Sequence, residues 1–340
     1  MSSLYLTYLN ALDVKALALS DDEILAGVEE GLTAQGHRET VIEPRMHLIP
    51  DKAVPGHFNI LRGAIRAPIN LAGVKVISDY VDNYKEGLPS ELGLLLLMDP
   101  ANGAPKAIID GSHLTDMRTG AVTAIGAKHL ARNESKILGH VGARGTAYWN
   151  VRLLDRLFDF DEIRVHSRRP ESREAFSARL ARDLGKPVKT TQDWRDCVEG
   201  ADIIVEASRL TEPAPMLKTA WIKRGAFVVP YGTMSAVELS LTDIMDKIIV
   251  DDWGQCKTGQ LGSLALTWRR ASSRRRRGTL RWARSSPGKK PGASGMRRPS
   301  YSGTAACRFQ TSRSVPRCSI RRRGSASGNA CAMLDRKCRR

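Results

Sequence analysis

One stretch of the chain, SKILGHVGARGTA at residues 135–147, restricts the fold more than any other part of the sequence. Its apolar run ILGHV has the composition of a buried strand, and Gly142 and Gly145 permit a tight turn directly after it. A helix with the sequence TAYWNVRLLDRLF follows at once, and a second short strand, EIRVHSR, comes next. Such a turn directs backbone N–H groups and the positive end of a helix dipole towards a phosphate. The order predicts a dinucleotide-binding β-α-β unit, the alternative being an ordinary βα turn without a ligand.

Strands and helices continue to alternate after this unit. The apolar runs ADIIVEAS, GAFVVPYG and KIIVDDW are separated by other segments, a pattern typical of a parallel, doubly wound sheet of the Rossmann type within the α/β class. Ligands bind such sheets at the carboxyl ends of the strands, where Ser167, Ser208 and Gly232 lie in this sequence. We therefore predict a dinucleotide-binding domain over residues 131–263.

The part of the chain before this domain has a different pattern. A capping box, SDDE, predicts the start of a helix, and VIEPRMHLI, HFNILRGAI and GVKVISDY are predicted to be strands. An Asn-Gly pair between LGLLLLMD and PKAIIDG predicts a hairpin, and a helix is expected from about Ser112 to Ala131. These elements predict a mixed α+β domain over residues 1–130. Two polar residues, Arg45 and Lys75, each interrupt an otherwise apolar strand in this prediction.

The end of the second strand of the β-α-β unit indicates which dinucleotide is bound. An acidic residue at this position would hold the two ribose hydroxyls of NAD. The sequence here is instead His166-Ser167-Arg168-Arg169. A hydroxyl and two guanidinium groups suit a 2′-phosphate, so NADP(H) is favoured over NAD(H) as the cofactor. The alternative is that both arginines belong to a solvated loop.

The positive charge of the chain is concentrated in its C-terminal segment. The formal net charge of the whole chain is +17. Residues 264–340 contain 22 of the 53 lysines and arginines and one of the 36 acidic residues, which gives this segment a net charge of +21. The rest of the chain therefore carries a net charge of −4, which argues against a nucleic-acid partner despite the basic segment.

Cysteines and apolar runs exclude further classes of protein. Four of the six cysteines lie in the same C-terminal segment, and Cys197 and Cys256 show neither metal-ligand spacing nor a disulfide framework. The N-terminus lacks a basic region followed by an apolar core, and the longest apolar run, GLLLLM, is too short to span a bilayer. We therefore expect no metal site, no membrane association and a cytoplasmic location.

Several motifs occur in the same order as in a known protein family. They are PRMHL, GVKVISDY, GLPSELGLLLLMDPANGAPKAIIDG, LTDMRTGAVTAIGAKHLA, LGHVGARGTA and DDWGQCKTGQLGSL. Over about residues 1–264, this combination resembles the ornithine cyclodeaminase and mu-crystallin family. The resemblance implies an NAD(P)-dependent enzyme that acts on a small α-amino or α-imino acid. It also implies a homodimer in which the first, α+β domain binds the substrate and forms the dimer interface.

The resemblance further implies roles for individual residues. Arg45 and Arg118 match the pair that holds the substrate carboxylate, and Lys75 matches the strand lysine beside the reacting carbon. Cations fix a carboxylate, and a lysine in an apolar strand can exchange a proton with the substrate nitrogen or with water. The alternatives are structural ion pairs for the arginines and a solvent-reaching side chain for the lysine. The expected cofactor contacts are Ser90, Thr119, Gly142, Arg144, Gly145, Thr146, Ser167, Arg168, Ser208 and Gly232.

Two positions depart from the family pattern. Arg144 occupies the place of the middle glycine of the phosphate-binding turn, where its guanidinium could itself pair with a phosphate. After the strand FVVP the sequence is Gly232-Thr233-Met234, where cyclodeaminases have a catalytic aspartate. The lack of this aspartate favours an imine (ketimine) reductase or an amino-acid dehydrogenase over an ornithine cyclodeaminase. A non-catalytic NADPH-binding protein is a further alternative.

The C-terminal segment, residues 264–340, has lost hydrophobic periodicity and is rich in arginine, serine and glycine. When its codons are read from their third base, Leu266 to Ser273 can encode HVEAGKL, and Pro299 to Val315 can encode LLFWHRGLSLSDIALG. These windows share one reading frame and reproduce the C-terminal region that the family resemblance leads us to expect. We therefore interpret the segment as a frameshift product, the alternative being a disordered basic arm. On this interpretation the chain as written is unstable or inactive, and its in-frame parent is the homodimeric enzyme.

Overall fold

The structure is a computed structural model that describes residues 4–51, 53–208, 210, 214–231, 236–251 and 300–302. Of these residues, those up to Ala121 form one compact unit and those from Val122 onward form another. The domain bounds predicted at residues 130 and 263 remain predictions. The proposed frameshift product lies outside the described residues, apart from residues 300–302.

The first unit contains a seven-stranded sheet. Its strands are β1 (Thr7–Leu9), β2 (Thr40–Ile42), β3 (Met46–Leu48), β4 (Gly56–Ile65), β5 (Leu71–Tyr80), β6 (Glu91–Met98) and β7 (Pro105–Asp110). Its helices are α1 (Ala11–Ala16), α2 (Asp21–Gly36), a 3-10 helix at Val81–Glu86 and α3 (Ser112–Leu130), whose last residues belong to the second unit. The strand order is β1-β7-β6-β5-β4-β2, with β3 also paired to β4. Among these described strands, β1 and β7 form the one parallel pair.

Helix α2 starts at the predicted capping box. The Ser20 side chain accepts a hydrogen bond from the Glu23 backbone N–H at 3.3 Å, and the Glu23 carboxylate accepts one from the Ser20 N–H at 2.9 Å. Both bonds satisfy backbone donors that have no partner within the helix. Ile24, Leu25 and Val28 are buried, so the helix packs through the apolar face that its sequence predicts.

The predicted single strand VIEPRMHLI is two strands, and Arg45 lies in the loop between them. β2 pairs with residues 63–65 of β4, whereas β3 pairs with residues 58–60 of the same strand. Pro44 accounts for the break, because proline has no N–H to donate to a sheet ladder. Arg45 is exposed, so the prediction that it interrupts an apolar strand is wrong.

The second unit contains a parallel sheet with helices between its strands. Its strands are β8 (Ile137–Val141), β9 (Glu162–His166), β10 (Lys189–Thr190), β11 (Ile203–Glu206), β12 (Phe227–Pro230), β13 (Lys247–Ile249) and β14 (Ser300–Ser302). Its helices are α4 (Ala147–Phe158), α5 (Pro170–Leu184), α6 (Trp194–Val198), a 3-10 helix at Thr219–Trp221 and α7 (Leu241–Ile244). The strand order β10-β9-β8-β11-β12-β14-β13, with parallel pairing throughout, confirms the predicted Rossmann-type sheet. β14 was not predicted, because the sequence around it has no strand pattern.

The centre of this parallel sheet forms the core of the second unit. Leu138, Ile163, Ile203 and Phe227, from four different strands, are all buried. Burying an apolar side chain of this size stabilises a fold by about 1.5–3 kcal/mol. The short apolar runs in the sequence are therefore strands covered on both faces, as parallel sheets require. In the described part of the chain, no helix combines the length and the apolar character needed to cross a bilayer.

Candidate functional site

The turn after β8 can be formed only with glycine at its first position. Gly142 has a φ of +109°, and a Cβ atom there would lie 2.6 Å from the Ala207 carbonyl oxygen. Both the backbone conformation and the lack of space exclude a side chain. The Gly142 N–H donates to the His166 carbonyl at 2.8 Å, which ties the turn to the end of β9. Gly145 has a φ of +56° and leads the chain into α4.

The outer part of this turn is accessible to solvent. Arg144 and Gly145 are exposed, and Thr146, which is half-buried, directly precedes α4. The Thr146 side chain makes no capping hydrogen bond to the helix. A helix start leaves backbone N–H groups without partners inside the helix. These donors, the helix dipole and the neighbouring guanidinium together fit the two negative charges of a pyrophosphate.

The end of β9 presents cations rather than a carboxylate. Its last residue, His166, is buried, and the half-buried Ser167 follows it. The Ser167 carbonyl accepts a hydrogen bond from the Arg173 guanidinium at 3.4 Å. Arg168 and Arg169 are exposed, and Arg169 directly precedes α5. The chemistry at this strand end can therefore complement a 2′-phosphate.

A buried carboxyl group at the end of β11 was not predicted from the sequence. Glu206 is 1% exposed, and its Oε1 accepts one hydrogen bond from the Ser208 N–H at 2.8 Å and a shorter one from the Ser208 hydroxyl. Burial raises the pKa of Glu206 to about 7, although the hydrogen bonds from Ser208 oppose that shift. The signal was present in the sequence, because Glu206 interrupts the apolar run ADIIVEAS as Lys75 interrupts its own strand.

The end of β12 lies beside the end of β11 at the same edge of the sheet. Tyr231 follows β12, and its N–H donates to the last carbonyl of β11 at 2.7 Å. The ends of β9, β8, β11 and β12 are consecutive along this edge, so the predicted contacts Gly142, Ser167 and Ser208 share it. Gly232, the remaining predicted contact of this edge, lies outside the described residues.

In the first unit, Lys75 lies near the middle of β5, opposite Leu61 of β4 and Leu95 of β6. The side chain is half-buried, and its Nζ donates to the Thr115 hydroxyl of α3 at 3.4 Å. The Thr115 hydroxyl in turn donates to the Gly111 carbonyl at 2.6 Å. The predicted position of the lysine, inside an apolar strand, is confirmed, whereas its catalytic role stays a prediction.

Helix α3 carries two other predicted site residues. Thr119 is buried and donates its hydroxyl hydrogen to the Thr115 carbonyl at 2.7 Å. Arg118 is half-buried. The pKa of the neighbouring Asp116 is raised to about 6, first by burial and then by the charge of Glu91, while Arg118 opposes the shift. Asp116 was not predicted from the sequence, because the periodicity of a helix does not show how deeply a carboxyl group is buried or which charges lie near it.

The last two predicted residues of this unit lie on loops. Arg45 is in the exposed loop between β2 and β3. Ser90 directly precedes β6, and its carbonyl accepts a hydrogen bond from the Tyr80 N–H at 2.9 Å. The structure thus joins Lys75 to α3 through a hydrogen bond and places Arg45 on a separate loop. Within the described ranges, no three His, Cys, Asp or Glu side chains are grouped so that they could hold a metal ion.

Two relatives are similar in sequence to this chain over about two thirds of its length or more. The alanine dehydrogenase of Archaeoglobus fulgidus is 28% identical over 249 residues, which cover 71% of this chain and 72% of that protein. The ketimine reductase mu-crystallin of Rattus norvegicus is 29% identical over 227 residues, which cover 66% of this chain and 70% of that protein. These relatives extend over both units of the structure.

Solved structures share the fold. The Delta(1)-pyrroline-2-carboxylate reductase of Thermococcus litoralis, in complex with NADH and L-proline, has a TM-score of 0.74 at 24% identity. The match covers 89% of this chain and 93% of the reductase. The family described as the ornithine cyclodeaminase/mu-crystallin family matches residues 7–256, which is well over half of the chain. The resemblance drawn from the motifs is confirmed, and this protein belongs to the ornithine cyclodeaminase/mu-crystallin family.

Proposed function

We propose that this protein is an NAD(P)-dependent oxidoreductase of a small α-amino or α-imino acid, acting as an imine (ketimine) reductase or an amino-acid dehydrogenase. The strongest support comes from the Gly142 turn, which joins a buried parallel strand to the start of a helix. Relatives named alanine dehydrogenase and ketimine reductase support the same class of reaction. Hydride is transferred at the α-carbon of the substrate.

The second unit binds the dinucleotide in this proposal. Backbone N–H groups at the start of α4 and the Arg144 guanidinium neutralise the pyrophosphate. Ser167 and Arg168 bind a 2′-phosphate, which favours NADP(H) over NAD(H). The hydroxyl of Ser208, held by Glu206, contacts the cofactor from the end of β11. When bound, the dinucleotide supplies or accepts the hydride.

The first unit binds the substrate in this proposal. Arg45 and Arg118 fix the substrate carboxylate, which orients the α-carbon for hydride transfer. Reduction of an imine adds one hydride to the carbon and one proton to the nitrogen. Lys75, oriented by its hydrogen bond to Thr115, exchanges that proton with the substrate nitrogen. The same groups serve the reverse reaction, because oxidation of an amine removes the same hydride and proton.

Turnover of defined substrates tests this function. We expect the enzyme to consume NADPH with a cyclic imino acid such as Δ1-pyrroline-2-carboxylate, or with pyruvate and ammonia. Lys75→Met should lower turnover by about 10²–10⁴-fold and leave the NADPH dissociation constant unchanged. Ammonia release from ornithine would instead identify a cyclodeaminase, and nucleotide binding without turnover would identify a non-catalytic binder. If no turnover is found, assays of the chain as written and of a version with the restored C-terminal frame distinguish two causes. One is a defective C-terminal segment, and the other is a wrongly assigned reaction.

We also propose that the in-frame parent is a cytoplasmic homodimer with no nucleic-acid partner, formed through the first unit. All but three of the described large apolar side chains that are exposed lie in this unit, including Met46, Leu48, Leu92 and Leu94. Large exposed apolar areas mark protein interfaces. Light scattering of the restored-frame protein should give the mass of two chains, and a monomer at micromolar concentration would contradict this assembly.

A further inference from the structure

Four polar side chains of the second unit form a chain of hydrogen bonds that no proposed role uses. Thr123 of α3, His140 of β8 and Asn150 of α4 are buried, and Tyr231, after β12, is half-buried. The chain of bonds ends at the carbonyl oxygen of Gly142. Buried polar groups need hydrogen-bond partners, but that need alone does not explain why these hydrogen bonds end at the glycine turn.

The direction of each hydrogen bond follows from its partners. A carbonyl oxygen only accepts, so the contact of 3.0 Å between His140 Nδ1 and the Gly142 oxygen places the ring proton on Nδ1. Burial lowers the pKa of His140 to about 4, so the ring is neutral and its Nε2 accepts from Asn150 Nδ2 at 3.2 Å. Asn150 Oδ1 accepts from the Tyr231 hydroxyl at 2.7 Å, and the Thr123 hydroxyl donates to Tyr231 through a short contact. All four bonds therefore point from α3 towards the turn.

Hydrogen bonds hold both the N–H group and the carbonyl group of Gly142. Its N–H donates to the His166 carbonyl at 2.8 Å, and its carbonyl accepts from His140. In a trans peptide, the C=O group and the next N–H point in opposite directions. Because the Gly142 oxygen points at the buried His140 ring, the Ala143 N–H points away from that ring. The hydrogen bonds thus decide where a backbone donor of the turn is directed.

We infer that His140, Asn150 and Tyr231 are positioning residues for the dinucleotide. They hold the peptide between Gly142 and Ala143 in the orientation that offers the Ala143 N–H to the pyrophosphate. This inference rests on the proposed function, because it requires a dinucleotide in the turn. Loosening the chain of hydrogen bonds weakens nucleotide binding without removing any group that touches the nucleotide.

Substitutions of His140 test this inference through the dissociation constants of NADPH and NADH, measured by calorimetric titration of the full chain. His140→Leu removes the donor, and we expect about 10-fold weaker binding, the equivalent of one lost hydrogen bond. His140→Asn returns an amide donor near the place of Nδ1 and should restore affinity to within about 3-fold of the unaltered chain. Equal losses in the two variants would overturn the inference, because the volume of the ring and not its donor would then matter.

Tyr231→Phe provides a milder test with a matched control. It removes only the hydroxyl that orients Asn150, and we expect about 3-fold weaker nucleotide binding. Ser177→Ala removes a hydroxyl that donates to the Val188 carbonyl at 2.6 Å in the same unit and should leave the affinity unchanged. If His140→Leu does not fold, this pair decides alone, and equal affinities overturn the inference. Failure of both the unaltered chain and its restored-frame version to bind either nucleotide would refute the proposed function, whereas equal binding by all variants refutes only the positioning role.

Discussion

Arg168 is exposed at the end of β9, where its guanidinium is proposed to bind a 2′-phosphate. Arg168→Ala should weaken NADPH binding by about 10–100-fold, because a hydrogen bond to a charged group contributes about 1.5–3 kcal/mol. The affinity for NADH, which lacks the 2′-phosphate, should change little. Titration of each variant with both nucleotides measures this selectivity.

Arg182→Ala is the matched control for this prediction. Arg182 is an exposed arginine of the same unit, and it pairs with Asp183 on α5 at 2.9 Å. Its loss removes the same charge from the surface without touching the end of β9. If the two variants lose NADPH affinity equally, the effect is one of general charge, and the assignment of Arg168 to the 2′-phosphate is wrong.

Glu206 should make folding stability depend on pH. Its pKa is about 7 in the folded protein, against 4.5 for an ordinary glutamate. Below pH 4.5 the carboxyl is protonated in both states, but as the pH rises towards 7 the unfolded chain loses the proton first. The folded state is therefore destabilised by about 1–3 kcal/mol over this range, because a tenfold difference in proton affinity between the two states corresponds to about 1.4 kcal/mol. Urea unfolding at pH 5 and pH 7.5 measures the difference.

Glu206→Gln should remove this pH dependence, because the amide is neutral at both pH values. The variant should consequently be more stable than the unaltered chain at pH 7.5 and similar to it at pH 5. Glu199→Gln is the matched control, because the carboxylate of Glu199 pairs with Arg195 at 2.8 Å on the surface. An unchanged pH dependence in Glu206→Gln would show that Glu206 is ionised throughout.

At the scale of secondary-structure elements, the Asp202 carboxylate joins the start of β11 to the start of β8. Asp202 precedes β11, and its Oδ2 accepts from the N–H groups of residues 136 and 137 at 2.9 and 3.0 Å. Its Oδ1 accepts from Arg132 at 3.0 Å and pairs with Lys223 at 2.7 Å. Burial alone would raise the pKa of Asp202, but these hydrogen bonds outweigh it and the pKa is lowered.

Asp202→Asn should destabilise the second unit by about 2 kcal/mol, because the amide cannot satisfy the two cations and the two N–H groups together. The stabilisation from Asp202 is present above its unfolded pKa and is lost as the pH falls through its lowered folded pKa, so the difference should shrink in acid. Urea midpoints of the two proteins measure it. Asp161→Asn is the control, since Asp161 is exposed and pairs with Lys136 at 3.8 Å. Equal losses would contradict the role of Asp202.

Elements defined by local signals were predicted from the sequence, and those that depend on pairing partners were not. The capping box at the start of α2 and the hairpin between β6 and β7 use residues a few positions apart, and both are confirmed. The break between β2 and β3 follows from their separate registers on β4. A continuous apolar segment does not reveal such registers, even where Pro44 marks the interruption.

For the molecule as a whole, the frameshift proposed for residues 264–340 can be tested directly. We predict that sequencing the coding DNA from the Asp251 codon to the stop will reveal one inserted or deleted base that restores the LSLSDIALG frame. The restored chain should unfold at a higher temperature, because each apolar helix that it regains buries area at about 25 cal/mol per Å². Thermal unfolding of both chains measures this change. A stable dimer of the chain as written that turns over substrate would contradict the interpretation that this chain is unstable or inactive.

The class of the fold and the position of the glycine turn were readable from the sequence, because both depend on contiguous patterns. Apolar runs, the glycines of the turn and the helix after them are local features of the sequence. Because the backbone at Gly142 leaves no space for a side chain, this constraint is visible in the sequence as the glycine itself. The surroundings of the turn were decided only by tertiary structure. Tyr231 and Asn150 are 81 residues apart, and Asp202 binds the backbone 65 residues before it. Hydrogen bonds between distant segments form only after the apolar strands have packed, so no local pattern encodes them.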